Sequence, residues 1–328
     1  IASCLVGSEM CIRDRFHVMS LLARANALEQ AGHDVIHLEI GEPDFTTAAL
    51  IVAAGQAALA AGHTRYTAAR GLPALRAAIA GFYAQRYGCD IDPERILVTP
   101  GGSGALLLAS SLLVDPDKHW LLADPGYPCN RHFLRLVEGA AQLVPVGADT
   151  DYQLTPGLVD ACWNADSVGA LVASPANPTG SVLSREQLAA LSQTLHARGG
   201  HLVVDEIYHG LTYGMDAHSV LEVDDGAFVL NSFSKYFGMT GWRLGWLIAP
   251  PDASAVTPAR ASAYAAEVSE ARPPPVNTST EEASTRMSRK SEPSASTGAV
   301  RISRYVSGMA SATASRRRSR KTTPASES

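Results

Sequence analysis

The feature that most constrains the fold is an alternation of short apolar runs with longer segments of helical character. Runs of four or five mostly apolar residues are typical of strands buried on both faces of a sheet. Strands that alternate with helices predict an α/β protein, in which helices flank a mostly parallel sheet. The runs are Arg95–Thr99, Trp120–Ala123, Gly169–Ala173, His201–Val204 and Ala227–Leu230.

Helical patterns lie between these runs, at Ala105–Val114, Pro128–Glu138 and Ser184–Ala197. The last has a strong start signal, because Ser184 is followed three residues later by Gln187, as in a capping box. In parallel sheets, ligands bind at the carboxyl ends of the strands. We therefore expect the functional residues to follow directly after the predicted strands.

Composition divides the 328 residues into three parts. Residues 16–251 read as an α/β domain with an N-terminal segment, whereas residues 1–15 resemble a spurious translated leader. Residues 252–328 contain no Leu, Phe or Trp and are rich in Ser, Ala, Thr, Arg and Pro. Such a segment has too little apolar surface to offset the entropy of ordering. We expect it to be a low-complexity tail, either frameshifted or naturally disordered.

Charge and cysteine content exclude several classes of function. The net charge of −5 gives no indication of a nucleic-acid partner, and we assign the basic cluster Arg316–Arg318 to the tail. No apolar run is long enough to span a bilayer. The cysteines are scattered, without the spacing of metal ligands, which predicts reduced thiols in a cytoplasmic protein that has no metal site. They are Cys4, Cys11, Cys89, Cys129 and Cys162.

A glycine-rich segment, Thr99-Pro-Gly-Gly-Ser-Gly-Ala105, follows the first predicted strand and opens a helix. Glycines allow backbone amides to approach a phosphate, and the N-terminus of a helix favours its negative charge. The segment matches neither a Walker loop nor a GxGxxG fingerprint. An ordinary glycine turn therefore remains the alternative.

Two further segments follow predicted strands. In Asp124-Pro-Gly-Tyr-Pro128, Tyr127 offers a flat ring that can stack on an aromatic ligand, or else pack on the core. In Ser174-Pro-Ala-Asn-Pro-Thr-Gly180, the amide of Asn177 can donate to a ligand oxygen, or the segment can be a plain Asn-Pro turn.

The most informative pair of segments lies further on. Val203-Val-Asp-Glu-Ile-Tyr208 puts Asp205 at the exit of an apolar strand, and Asn231-Ser-Phe-Ser-Lys-Tyr-Phe-Gly-Met-Thr-Gly-Trp-Arg243 contains Lys235. A lysine that forms a Schiff base needs a crowded, partly dry pocket, which lowers the pKa of its amine. A pyridine ring that serves as an electron sink needs an acid opposite its nitrogen. The alternative for Asp205 is a helix N-cap.

These motifs, in this order, resemble the pyridoxal-phosphate-dependent aminotransferases of class I/II, the aspartate aminotransferase superfamily with fold type I. The resemblance spans about residues 38–246. It implies pyridoxal 5′-phosphate as cofactor, bound through a Lys235 Schiff base, and catalytic roles for Lys235, Asp205 and Tyr208. It also implies that the remaining cofactor contacts come from Gly102, Ser103, Gly104, Tyr127, Asn177, Ser232 and Arg243. Glu206, in contrast, is expected to face solvent or to form a structural ion pair, and His209 to be structural.

The resemblance extends to two N-terminal segments. Glu39-Ile-Gly-Glu-Pro-Asp44 matches the family's glycine segment, which implies that the Gly41 amide lies near the substrate, as Asn177 does. The segment from Arg65 to Arg76 matches a loop that reaches into a neighbouring subunit. It implies that Tyr66 contacts the cofactor phosphate of a partner, and hence that the protein is a homodimer.

The expected reaction moves an amino group from an amino acid to a 2-oxo acid. A carbon–sulfur lyase, or another pyridoxal-phosphate enzyme of the same fold, is the alternative, because the motifs describe the cofactor and not the substrate. A catalytically dead binding or regulatory domain is a third reading. Family members hold the substrate carboxylate with an arginine of a small C-terminal domain, and Arg260 and Arg272 lie in no recognisable motif. We therefore expect this chain to turn over poorly or not at all.

Overall fold

The computed structural model describes residues 17–38, 40–42 and 45–252. The leader predicted for residues 1–15 and the tail predicted for residues 252–328 lie outside this part of the chain, except for Asp252. The predicted domain boundaries and the expected loss of the small C-terminal domain therefore stay predictions. Within the described residues, no helix is both long and apolar enough to cross a membrane.

The described residues form an α/β architecture, as predicted. The helices are α1 (His17–Gln30), α2 (Ala49–Ala60), α3 (Pro73–Tyr87), α4 (Gly101–Leu113), α5 (Asn130–Leu136), α6 (Pro156–Cys162) and α7 (Arg185–Ala197). The strands are β1 (Ile96–Thr99), β2 (His119–Asp124), β3 (Ala140–Pro145), β4 (Ser167–Ala173), β5 (His201–Asp205), β6 (Phe228–Ser232) and β7 (Gly245–Ile248).

The seven strands form one mixed sheet in the order β1-β7-β6-β5-β4-β2-β3. The pairs β6–β5, β5–β4, β4–β2 and β2–β3 are parallel, whereas β7 pairs antiparallel with both β1 and β6. The fold class predicted from the sequence, a mostly parallel sheet flanked by helices, is confirmed. The carboxyl ends of the six strands other than β7 therefore meet along one edge of the sheet.

Helices cover the sheet on both faces, and strand residues alternate between two apolar cores. On β5, Leu202 and Val204 pack into the core formed with α2, α3, α6 and α7. Val203, between them, packs into the core formed with α4 and α5. Successive side chains of a strand point to opposite faces, so a run that is apolar at every position is what a doubly covered strand requires.

The helix ends follow local sequence signals. Helix α7 begins after Ser184, whose hydroxyl accepts from the Gln187 amide while the Gln187 side chain accepts from the Ser184 amide, which confirms the predicted capping box. Helix α3 starts at a proline and ends at Tyr87, and the left-handed φ of 72° at the following Gly88 closes it. Helix α5 is shorter than the predicted Pro128–Glu138, and α4 begins at Gly101, four residues before the predicted start.

Candidate active site

The predicted site residues gather at the carboxyl edge of the sheet. Asp205 is the last residue of β5, Ser232 is the last residue of β6, and Lys235 follows three positions later. Asn177 lies after β4 and Tyr127 after β2, where both line a cleft at the same edge. The strand connections thus bring four separate sequence segments together, as the position of each motif after a strand predicted.

Lys235 occupies a partly buried position at the centre of this group. Its Nζ lies 5.9 Å from the centre of the Tyr208 ring and donates a hydrogen bond to the backbone carbonyl of Gly41 at 2.6 Å. Burial lowers the pKa of this amine, the nearby Glu42 carboxylate opposes the shift, and the Arg243 guanidinium adds to it. A lowered pKa increases the fraction of neutral, nucleophilic amine at neutral pH.

Asp205 and Tyr208 belong to the turn that follows β5. Asp205 Oδ1 accepts from the Ile207 amide at 3.0 Å, but no helix begins here, so the side chain is not the helix N-cap considered as an alternative. Burial raises the pKa of Asp205 to about 6, and the Ile207 hydrogen bond opposes that rise. Asp205 is therefore a carboxylate whose charge is costly unless a cationic partner lies opposite it.

The Tyr208 hydroxyl is within hydrogen-bonding distance of Asn177, whose Nδ2 lies 3.4 Å from it. Burial raises the pKa of the Tyr208 phenol, the Asp205 charge adds to the rise, and Asn177 opposes it. The phenol thus stays protonated at neutral pH. Tyr208 and Asn177 together present an O–H and an N–H donor to the same part of the site, which suits a ligand oxygen.

Three features at the start of α4 suit a phosphate group. Gly101 has a left-handed φ of 73°, and a Cβ built there would lie 2.6 Å from Nη2 of Arg243. A Cβ on Gly102 would lie 3.8 Å from Cβ of Ser232. A guanidinium, a serine and the first turn of a 13-residue helix therefore meet at one point, and this donor set fits a dianion. Gly104 is glycine for another reason, since its Cβ would lie 2.6 Å from the Pro100 ring.

Tyr127 forms part of the cleft wall and is partly buried. Burial raises the pKa of its phenol well above the ordinary value, and neighbouring Cys129 adds to the rise. The cleft, about 210 Å³, is also lined by Asn177, Tyr152, Gln153 and Arg131. Tyr66, in contrast, lies on the loop between α2 and α3, and its side chain is fully exposed at 106%.

Gly41 and Glu206 have contacts that the sequence did not indicate. Gly41 accepts a hydrogen bond from Lys235 through its carbonyl, and the role implied for its amide near the substrate stays a prediction. Glu206 was expected to face solvent or to form a structural ion pair, and the first expectation is wrong because its side chain is completely buried. Its Oε2 lies 3.7 Å from Nδ1 of His209, and burial lowers the pKa of that imidazole to about 3, which disfavours a charged pair at neutral pH.

Comparison with known proteins identifies the family of the chain. Residues 33–318 match the family profile "Aminotransferase class I and II". The chain belongs to the class I and II aminotransferases. The matched residues extend into the segment after Asp252, which lies outside the described part of the structure.

Relatives of this aminotransferase chain are named for different amino acids. It is 38% identical over 237 residues to a valine–pyruvate aminotransferase of Mycobacterium tuberculosis, covering 72% of this chain and 61% of that one. It is 37% identical to an aspartate aminotransferase of Streptomyces avermitilis, covering 70% of this chain and 58% of that one. The chain thus spans about three fifths of the length of these relatives.

Solved structures show the same fold. An aminotransferase from Mycobacterium tuberculosis superposes with a TM-score of 0.71 at 37% identity, covering 74% of this chain and 63% of that one. The aspartate aminotransferase of Thermus thermophilus with maleate gives a TM-score of 0.73 at 30% identity, covering 80% and 68%. These matches identify the sheet and its flanking helices as those of the fold type I aminotransferases.

Proposed function

We propose that the protein is a pyridoxal-phosphate-dependent aminotransferase, which moves an amino group from an amino acid to a 2-oxo acid. The observation that carries this proposal is the partly buried Lys235 amine, which lies over the Tyr208 ring. Both residues lie at the carboxyl edge of the sheet, where Asp205 is the last residue of β5. Membership of the aminotransferase family supports it. The identity of both substrates is left open, since the relatives differ in the amino acid named for them.

The residues present fit this cofactor. The first turn of α4, Ser232 and Arg243 suit its phosphate, as described above. The raised pKa of Asp205 fits a site built for a protonated ring nitrogen, whose positive charge would stabilise the carboxylate. The donors of Asn177 and Tyr208 suit the oxygen on the ring. When bound, the cofactor supplies an electron sink for the charge that develops at the substrate Cα.

In this proposal Lys235 has two tasks. Its amine would hold the cofactor covalently, for which the lowered pKa is favourable. When free, the same amine would carry the proton that leaves the substrate Cα, because a neutral amine is a suitable general base. Tyr127, on the wall of the cleft, would offer its flat ring to the cofactor.

We further propose that the active form is a homodimer. Exposed apolar side chains on the N-terminal elements and the exposed Tyr66 support a contact between two copies of the chain. These side chains are Ile36, Leu38, Phe45, Leu50 and Leu59. Light scattering of the cofactor-loaded protein is expected to give twice the chain mass, and a folded, loaded monomer would contradict the proposal. The cytoplasmic location stays a prediction from the sequence.

The reaction is tested by product analysis. Protein loaded with pyridoxal phosphate is mixed with single amino acids without a 2-oxo acid, and the products are measured by mass spectrometry. A transaminase yields the 2-oxo acid and pyridoxamine phosphate in equal amounts. A carbon–sulfur lyase instead releases a thiol or sulfide and leaves the cofactor in its aldehyde form, which would overturn the proposed reaction.

A further inference from the structure

The turn after β5 has two sides, and the proposed chemistry uses only one of them. Tyr208 faces the candidate site, as its contacts with Asn177 and Lys235 indicate, and Asp205 ends β5 at the same edge of the sheet. Glu206 and His209 alternate with them and are buried, at 0% and 3% exposure. Two titratable side chains therefore lie in the core directly behind the acid and the phenol of the site.

Glu206 ties the turn to two other parts of the chain. Its Oε1 accepts from the hydroxyl of Ser219 at 2.8 Å and from the amide of Val220 at 3.0 Å. Its Oε2 lies 3.2 Å from the hydroxyl of Tyr83 on α3. All four groups are completely buried, so these hydrogen bonds do not compete with water.

His209 makes a parallel connection to the same helix. Its Nδ1 is hydrogen-bonded to the hydroxyl of Tyr87 at 2.7 Å. Tyr83 and Tyr87 are one helical turn apart on α3, and their ring centres lie 5.3 Å from each other. We name the pairs Glu206–Tyr83 and His209–Tyr87 the clasp, because both join the β5 turn to α3.

The clasp is neutral at neutral pH. Burial raises the pKa of Glu206 to about 8, although three hydrogen bonds oppose the rise, and burial lowers the pKa of His209 to about 3. A protonated carboxyl and a neutral imidazole place no net charge behind Asp205. A second carboxylate at this point would disfavour the ionised form of Asp205, which the proposed cofactor requires.

We propose that Glu206 is a positioning residue, which fixes the Asp205 carboxylate and the Tyr208 hydroxyl toward the site through its hydrogen bonds to α3 and to the Ser219–Val220 segment. This inference rests on the proposed function, since it assigns a task within the same site. A displacement of about 1 Å at such a group is enough to reduce its contribution to the reaction strongly.

The test uses the colour of the bound cofactor and not turnover. In the loaded protein, the pH midpoint of the visible absorbance change reports the pKa of the nitrogen that joins Lys235 to the cofactor. A ring nitrogen kept protonated by Asp205 lowers that pKa by withdrawing electrons. In Glu206→Ala, where Asp205 loses its support, we expect the midpoint to rise by about 1 pH unit, the effect of one nearby charge.

Matched variants separate positioning from simple stability. Glu206→Gln keeps the shape and the hydrogen bonds of a neutral carboxyl, so we expect its midpoint to equal that of the wild type. Leu191→Ala removes a buried core contact on α7 and is expected to lower the melting temperature without moving the midpoint. Where Glu206→Ala does not fold, Tyr83→Phe decides, because it removes one clasp hydroxyl and should raise the midpoint by a smaller amount.

The outcomes distinguish this inference from the proposed function. An unmoved midpoint in folded Glu206→Ala, or a Glu206→Gln midpoint shifted as far as that of Glu206→Ala, overturns the positioning role. In the absence of folded Glu206→Ala, an unmoved midpoint in Tyr83→Phe does the same. A wild-type protein that gains no visible band with pyridoxal phosphate overturns the proposed function itself.

Discussion

The Nζ of Lys235 donates a 2.6 Å hydrogen bond to the carbonyl of Gly41, 194 positions earlier in the chain. The same N-terminal segment is attached to the Lys235 loop a second time, since the Thr47 hydroxyl donates to the carbonyl of Gly238 at 2.6 Å. Trp242 Nε1 in turn donates to the Thr47 hydroxyl at 3.1 Å. The segment before α2 is therefore a structural part of the lysine's environment and not a loose leader to the domain.

The first prediction concerns the charge next to this lysine. The Glu42 carboxylate raises the pKa of Lys235 against the effect of burial, so Glu42→Gln should lower the pKa and leave more neutral amine at neutral pH. We expect the rate at which pyridoxal phosphate combines with the apoprotein to reach its maximum at a lower pH, measured by the rise of visible absorbance. Glu138→Gln, at an exposed site, is the control, and an unmoved profile in Glu42→Gln would contradict the assignment.

The second prediction concerns close packing under the proposed phosphate site. A Cβ on Gly245, in β7, would lie 2.5 Å from the carbonyl carbon of Gly101 and 2.9 Å from the carbonyl oxygen of Asn231. Backbone atoms cannot move aside, so Gly245→Ala should cost about 1–3 kcal/mol of unfolding free energy and weaken cofactor binding. Both quantities are measurable, by thermal melting and by titration with pyridoxal phosphate.

Gly81→Ala is the matched control for that substitution. Gly81 lies within α3, and a Cβ there would meet nothing within 4 Å. Because alanine favours a helix, the change should stabilise the protein by about 0.5–1 kcal/mol. Equal changes in unfolding free energy for Gly245→Ala and Gly81→Ala would show that the close backbone contacts at Gly245 do not exclude a larger side chain.

The third prediction is a pH dependence of stability caused by Glu206. Its pKa is about 8 in the folded protein, against an ordinary value of 4.5, so the folded state holds its proton more tightly than the unfolded state. Its contribution to stability is thus fully present below about pH 4.5 and is lost as the pH rises through about 8. Relative to Glu206→Gln, the wild type should lose on the order of a few kcal/mol across this window. Denaturant unfolding of both proteins from pH 4.5 to 8.5 measures this. A difference in unfolding free energy that stays constant over that range would be evidence against a buried, neutral Glu206.

The fourth prediction concerns Asp205. Asp205→Asn keeps an oxygen that can accept from the Ile207 amide, so the turn should persist, but it removes the negative charge. We expect the variant to fold and to attach the cofactor, while the midpoint of its visible absorbance change rises by about 1–3 pH units. If the midpoint matches that of the wild type, Asp205 is a turn residue and not the partner of the ring nitrogen.

Much of the fold followed from the sequence because the central strands are covered on both faces. The five predicted strands, β1, β2, β4, β5 and β6, all exist, since an uninterrupted apolar run has few other stable placements. Strands β3 and β7 were not identified. The first is an edge strand with exposed residues such as Ala140 and Pro145, and the second follows the lysine segment so closely that no break in the sequence marks its start.

The site was partly predictable for the same reason. Residues that directly follow parallel strands meet at one edge of the sheet, so the sequence alone groups Asp205, Asn177 and Lys235. No such sequence signal marks the residues on the buried side of the turn after β5. Glu206 looks like any acidic residue in sequence, and its burial depends on Tyr83 and Ser219, which are distant in the chain.

The measurement that tests the central claim most directly is chemical trapping of the cofactor. The protein is incubated with pyridoxal phosphate, reduced with borohydride and digested, and the labelled peptide is identified by mass spectrometry. We predict that the label is found on Lys235 and is absent from Lys118, which is partly exposed and paired with Asp166. Lys235→Ala, treated in the same way, should carry no label within the described residues. A label on Lys118, or equal labelling of wild type and Lys235→Ala, would contradict the assignment of Lys235 and the active site built around it.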